Sequence, residues 1–455
     1  MYGFATRLAA EALKGPHMTT ASTPQPAADP RLDEPEEALA FFEEAAGNED
    51  PPTPIKGVRR LMGWIIPANL GIFLIWGAVP GILLPAQVAA QFGEADKVAN
   101  LAIVMTIGAF FSMLAQPIAG QISDRTRSRF GRRAPWIFMG SLAGGLALVG
   151  LAFADSLVGV VIAWTLVQIT YNFAQGPLSA VMPDRVPVKR RGTFATLSGI
   201  GLMVGALGGQ IIGSLFYGSI AAGYVTFAVF SLVMLSLFIA FNPDYSSKDL
   251  EPEPFRFGDF LRTFWVSPIK HPDFFWAFTG RLLLYTGYFA VTGYQLYLLT
   301  DYFGVGRPQD VIPVLGLISL AGILIATIVS GPLSDKLGRR KIFVFISSAV
   351  TGLAFLLPWV WPDLTAWMIM TFIAGLGFGM FQAVDTALMS EVLPSAKSFA
   401  KDLGVVNIAA TLPQTLAPGV AGAIVLVFGY EGLFPVAIVL SILGAFAVWP
   451  IKAVK

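Results

Sequence analysis

The chain contains no cysteine. Disulfides, thiolate metal sites and thiol chemistry are therefore excluded. Histidine is nearly absent: the two residues, His17 and His271, both lie outside the long apolar runs. That excludes a histidine proton relay or a histidine metal site within those runs. Charge is scarce as well. Asp, Glu, Lys and Arg make up 13% of the 455 residues, about half the share found in soluble domains. No Gly-Lys-Ser/Thr phosphate loop is present, which argues against ATP drive by this chain. Two peripheral histidines cannot build a nucleophile–base pair. The chain reads as no enzyme, with no cofactor and no metal.

What is abundant is apolar sequence, at 55% of the residues. A soluble fold of this composition would have too little polar surface to cover it. Many runs exceed the roughly 18 residues that cross a bilayer. We place spans at roughly 64–92, 98–122, 135–154, 157–181, 192–220, 223–242, 273–303, 310–334, 341–361, 364–391, 398–427 and 430–451. The fold class expected is an all-α membrane protein of twelve transmembrane helices. The fifth span repeats glycine every fourth residue, at Gly201, Gly205, Gly209 and Gly213. That spacing lets a second helix backbone approach closely.

A basic loop occurs twice. The first copy runs from Gly120-Gln-Ile-Ser-Asp124-Arg125 to Gly131-Arg132-Arg133, and the second reads Gly331-Pro-Leu-Ser-Asp335-Lys336-Leu-Gly338-Arg339-Arg340. Another internal match pairs Gln175, Met182, Asp184 and Pro187 with Gln382, Met389, Glu391 and Pro394 at one fixed offset. The expected architecture is two pseudo-symmetric six-helix halves, 59–242 and 273–455. Lys and Arg crowd the second–third, fourth–fifth, sixth–seventh and eighth–ninth connections, which places those connections and both termini in the cytoplasm. Residues 1–58 have the composition of a disordered tail. Residues 243–272 form a linker, in which Phe255–Trp265 is amphipathic and suits the membrane surface. A duplicated bundle of this kind points to a transporter.

Twelve spans, two halves and the doubled Gly-x-x-x-Asp-Arg/Lys…Gly-Arg-Arg loop resemble the major facilitator superfamily. The first loop carries an insertion, Thr126-Arg-Ser-Arg-Phe130, followed by Gly131-Arg-Arg-Ala-Pro135-Trp-Ile137. In that form it resembles the sucrose-transporter type and the glycoside–pentoside–hexuronide symporters. The resemblance implies the major facilitator fold, with the first, fourth, seventh and tenth helices around a central cavity. It also implies sugars or glycosides as cargo, carried with protons or sodium. Melibiose-type members hold sodium with two acids on the second helix. Here Gln116 stands in place of the second acid, and no acid occurs in the fourth span before Asp184. The coupling ion expected is therefore the proton rather than sodium, and its acceptor has to lie elsewhere.

Two charges within spans supply the candidates. Arg281 on the seventh and Asp385 on the tenth lie at comparable depth. An unpaired charge there costs at least ~2.5 kcal/mol, so they are expected to pair or to face water, with Asp385 as proton acceptor and Arg281 tuning it. Candidate sugar ligands are Asn69, Trp76, Tyr171, Asn172, Gln175, Tyr285, Tyr288, Gln295 and Gln382, with Asn407 and Gln414 on the eleventh helix as secondary ones. Amides bond hydroxyls and aromatic faces stack on sugar rings. The loops supply a conformational latch: Asp124, Arg125, Arg132, Arg133 and Arg185 in the first copy, Asp335, Arg339 and Arg340 in the second. Asp124 is expected to meet Arg185. The function expected is secondary transport of a di- or oligosaccharide or glycoside by a monomer in the cell membrane, contacting lipid and no nucleic acid. The alternatives are an exporter of amphipathic compounds by proton antiport and a non-transporting membrane sensor.

Overall fold

The computed structural model describes residues 57–248, 268–392 and 399–452. The tail, the amphipathic stretch 255–265 and the side chains of Asp335 and Asn407 fall outside what is described. Among the described residues the secondary structure is helical. Ten stretches are long and apolar enough to cross a membrane.

The first of these, Val58–Arg125, holds two crossings. It comprises α1 (Val58–Ala78), a π-helical turn (Val79–Leu83) and α2 (Leu84–Arg125). The reversal is at Gly93, whose φ of 77° lies in the region that only glycine enters freely. The helices that follow are α3 (Ala134–Ala152), α4 (Leu157–Arg185), α5 (Val188–Leu215) and α6 (Ile220–Phe241). A further helix, α7 (Pro272–Thr292), leads through Gln295–Tyr297 into a second π turn, Leu298–Tyr302. Then come α8 (Pro308–Leu337), α9 (Arg340–Ala354, extended by Leu356–Val360), α10 (Leu364–Glu391), α11 (Phe399–Phe428) and α12 (Leu433–Ala447). Helix ends carry ordinary caps. Ser156 accepts from the Gly159 amide, Asp363 accepts from the Thr365 amide at 2.7 Å, and Gly338 closes α8 at φ 59°.

The helices sort into two bundles of six. In the first, α1 packs on α5 and α6, α4 on α2 and α3, and α3 on α6. In the second, α8 packs on α10, α7 on α11 and α12, and α9 on α10 and α12. The bundles meet through α2 against α11 and α5 against α8. The glycine ladder of α5 does what its spacing predicts. A Cβ on Gly209 would run into the Leu74 carbonyl of α1, and one on Gly201 or Gly213 would crowd Asn69 or Ala78. The second bundle uses the same device: Gly375 and Gly379 of α10 sit against the Ser319 and Ile323 backbones of α8. Overpacking a close contact costs about 1–3 kcal/mol. Gly209→Leu is therefore expected to lower the melting temperature in detergent by several degrees, whereas Gly199→Leu, with open space around it, leaves it unchanged.

The polar contacts that cross between the bundles, among the described residues, lie from mid-helix to the end opposite the basic loops. Thr415 Oγ1 donates to the Ala109 carbonyl at 3.2 Å near the middle. Tyr294 Oη donates to the Val98 carbonyl, and Tyr297 Oη donates to the Pro85 carbonyl at 2.9 Å. The two π turns, one following the first helix of each bundle, stand at this junction.

Candidate functional site

A cavity of about 390 Å³ lies between the bundles. The π turn after α1 contributes Pro80 and Gly81 to its wall, beside Trp76. Wide turns of this kind are common at functional sites. The second bundle contributes more: Tyr288, Phe289, Thr292 and Gln295 after and along α7, Ser319 from α8, Trp367, Met370 and Thr371 from α10, Gln414 from α11. Gln210 enters from α5. Among the described residues lining it, none carries a formal charge. Three amides, several hydroxyls and broad aromatic faces surround the space.

Three of the nine sugar-ligand candidates line this cavity: Trp76, Tyr288 and Gln295. The α4 candidates stand behind Trp76. Gln175 Oε1 accepts from the Trp76 indole N–H at 2.9 Å, and Tyr171 meets the Trp76 ring edge-on at 6.3 Å. Asn172 donates to Ser112 Oγ at 2.8 Å and to the Gln168 carbonyl. These three orient the tryptophan and brace α2. Asn69 lines a separate space of about 230 Å³ with Ser179 and Ser198. Gln414, the secondary candidate on the eleventh helix, also lines the cavity, whereas Gln210 enters from the fifth, from which no ligand was expected.

Arg281 and Asp385 pair directly. Arg281 Nε donates to Asp385 Oδ2 at 2.5 Å, and the Nη2 group meets the same oxygen. Both are buried, 6% and 2% exposed. Neither lines the cavity; the pair lies toward the basic-loop end of α7 and α10. The candidates Tyr285 and Gln382 belong to this group, with Tyr285 beside Asp385, Arg281 and Gln382. An aromatic stack joins pair and cavity. Tyr288, in the cavity wall, stacks on Phe378 at 4.3 Å, and Tyr285 lies 5.3 Å from Phe378 and 5.5 Å from Phe381.

In the first basic loop, Asp124 pairs with Arg133 at 2.5 Å rather than with Arg185. Arg185 is turned instead to the Asn242 and Pro243 carbonyls at 2.9 and 3.2 Å. The reason is a second acid: Asp184 holds both Arg132 (2.5 Å) and Arg133 (2.8 Å), which draws the arginine pair across α4. Burial opposes the charge on Arg133, but Asp184 and Asp124 more than offset it, so its guanidinium binds its proton more tightly than usual. The inserted residues are tied to the chain after α6: Ser247 Oγ donates to the Thr126 carbonyl, and the Ser247 amide donates to the Ser128 carbonyl. Arg125 bonds Gln121, one turn back on its own helix. In the second copy, Arg339 and Arg340 open α9.

Opposite the basic loops is a cluster the sequence reading passed over. Lys97, 3% exposed, donates to Asp301 at 2.8 Å and also pairs with Glu94. Its ammonium lies 4.9 Å over the Tyr297 ring. Asp301 accepts further bonds from Tyr430 Oη at 2.6 Å and Thr300 Oγ1 at 2.7 Å. A buried ammonium needs such partners. The cluster ties α2 of one bundle to the end of α7 and the α11–α12 turn of the other.

The sucrose transport protein SUC4 of Arabidopsis thaliana is 27% identical over 184 residues, 36% of this chain and 35% of that protein. An uncharacterized symporter of Synechocystis sp. is 51% identical over 39 residues, 9% of this chain and 7% of that protein. The chain thus spans about a third of the first relative's length and less than a tenth of the second's. Among solved structures, the nucleoside transporter NupG superposes with a TM-score of 0.71 at 14% identity, covering 86% of this chain and 99% of that one. A POT family transporter in complex with a thioalcohol conjugated peptide gives 0.71 at 13% identity, covering 87% and 97%. At such identities the likeness is one of fold. Residues 97–450 match the family described as MFS/sugar transport protein, and the chain belongs to that family.

Proposed function

We propose that this protein is a secondary transporter of neutral sugars, di- or oligosaccharides or glycosides, that couples their movement to protons by alternating access. The observation that carries this reading is the cavity between the bundles, walled among the described residues by amides, hydroxyls and aromatic rings with no formal charge. A charged solute would lose its hydration there with no ion to replace it. A sugar has hydroxyls for the amides and ring faces for Trp76 and Tyr288. The basic loops would face the cytoplasm, in the cell membrane, with both termini inside and the chain acting as a monomer. The junction at Lys97 and Asp301 would then close the outer side.

Coupling would run through Arg281 and Asp385. Both charges are buried, so neutralising Asp385 leaves Arg281 without its counter-ion, an arrangement costing about 3–5 kcal/mol in a static protein. Protonation would therefore go with a shift of α7 against α10. The stack Tyr288–Phe378–Tyr285 leads from the cargo to that pair.

The test is a competition screen in proteoliposomes, with a labelled disaccharide as reporter. Neutral di- and oligosaccharides or glycosides are expected to inhibit uptake at least tenfold better than organic cations or nucleotides of similar size. Preferential inhibition by amphipathic cations would instead favour an exporter on the same fold.

A further inference from the structure

Two polar groups in the cavity wall have no partner among the described residues. Trp367 of α10 is 1% exposed, and its indole Nε1–H donates to nothing. Gln210 of α5 has a buried Oε1 that accepts nothing, held so close to α8 that a Cβ on Gly316 would strike it. Both line the cavity. Nearby hydroxyls are already bonded within their own helices: Thr371 donates to the Trp367 carbonyl at 2.8 Å and Thr292 to the Tyr288 carbonyl at 2.9 Å. Buried polar groups are ordinarily paired, and leaving one unpaired forfeits its hydration. An indole N–H only donates, whereas an amide presents an acceptor and donors whichever way it is turned. Both atoms are shielded from water in this conformation, and a sugar hydroxyl answers either as the wall shifts around it.

The two groups also belong to different bundles. A ligand shifts a two-state equilibrium only by the difference in its affinity for the two states. A cargo that bonds Gln210 on one bundle and Trp367 on the other makes both bonds only when the bundles are drawn together around it. Resting on the sugar-transport reading, we propose that Gln210 and Trp367 are specificity-determining residues that read two hydroxyls of one sugar across the bundle interface, so that recognition and closure are the same event.

The experiment uses Trp367→Phe, which removes the N–H and keeps a ring against Phe303 and Phe434, and Gln210→Met, which keeps length and removes the amide. Folding is followed by melting temperature and gel filtration. A series of monodeoxy sugars is assayed for uptake in proteoliposomes. Each variant is expected to raise KM for the full sugar five- to fiftyfold. For each variant, one deoxy sugar that is weak on the wild type should show no further loss, and the position should differ between the two variants. Wild-type uptake of sugar with KM unchanged in both well-folded variants would overturn this inference and leave the sugar-transport reading standing, as would an equal loss for every deoxy sugar. A wild type that takes up no neutral sugar would overturn both. If a variant fails to fold, Trp367→Leu and Gln210→Leu carry the same comparison, since neither side chain can donate or accept.

Discussion

Asp385→Asn takes up sugar to equilibrium and no further. Wild-type vesicles with an inward proton gradient are expected to concentrate sugar at least tenfold over the medium, and the variant to reach a ratio near one. Exchange of internal for external sugar, which needs no net proton movement, should persist. The expectation rests on the direct contact of Asp385 with Arg281 and the burial of both. Asparagine keeps the shape and still accepts one bond, but it cannot take up and release a proton. Stability and coupling separate in a cycle. Breaking one side of a buried pair costs about 3–5 kcal/mol, whereas replacing both partners by apolar residues is often neutral or better. Asp385→Leu alone should therefore melt well below the wild type, and Arg281→Met with Asp385→Leu should recover most of that loss. Neither should accumulate sugar. Recovered accumulation in the double variant would make the pair structural only.

Lys97→Met opens the other end of the molecule. The ammonium is 3% exposed and holds Asp301 across the bundle junction. Its loss leaves Asp301 with only Tyr430 and Thr300. Removing even about 1.4 kcal/mol of the contact that favours the closed outer side shifts the population tenfold. The absence of cysteine makes the readout direct. A single reporter, Ser319→Cys in the cavity wall, can be labelled by a membrane-impermeant thiol reagent added outside. Lys97→Met is expected to raise that labelling rate at least tenfold, and Asp301→Asn to raise it by a similar factor. The double variant should match either single one, because each removes the same bridge. Unchanged labelling in all three would remove Lys97 from the outer closure.

The architecture was readable because the membrane imposes it. Apolar run length follows from the bilayer, the doubled loop reports an internal repeat, and the spacing of Gly201, Gly205, Gly209 and Gly213 names its own use. Arg281 and Asp385 were readable for the same reason: a charge in a span must find a partner, and only one of each sign offered itself at that depth. The cavity wall was less legible. Trp76, Tyr288 and Gln295 lie on the four helices expected to supply ligands and Gln414 on the eleventh, but Gln210 comes from the fifth, from which none was expected. A lone glutamine in a span gives no sign of which way it faces, since helical phase decides that and every face of these helices is apolar. Lys97 was the largest omission. Nothing local shows that Asp301, 204 residues on, will meet it. Nor does sequence show that Arg133 rather than Arg185 takes Asp124, because that choice depends on Asp184 being turned toward the same arginines.

The most direct measurement is of the proton itself. Proteoliposomes in weakly buffered medium, with a pH electrode outside, receive a neutral disaccharide with no imposed gradient. Wild-type protein is expected to turn the medium alkaline as sugar and protons enter together, in a fixed ratio, and Asp385→Asn to give no pH change while labelled sugar still equilibrates. Sugar entering wild-type vesicles with no alkalinisation, or an unchanged signal from Asp385→Asn, would contradict proton coupling through the buried pair.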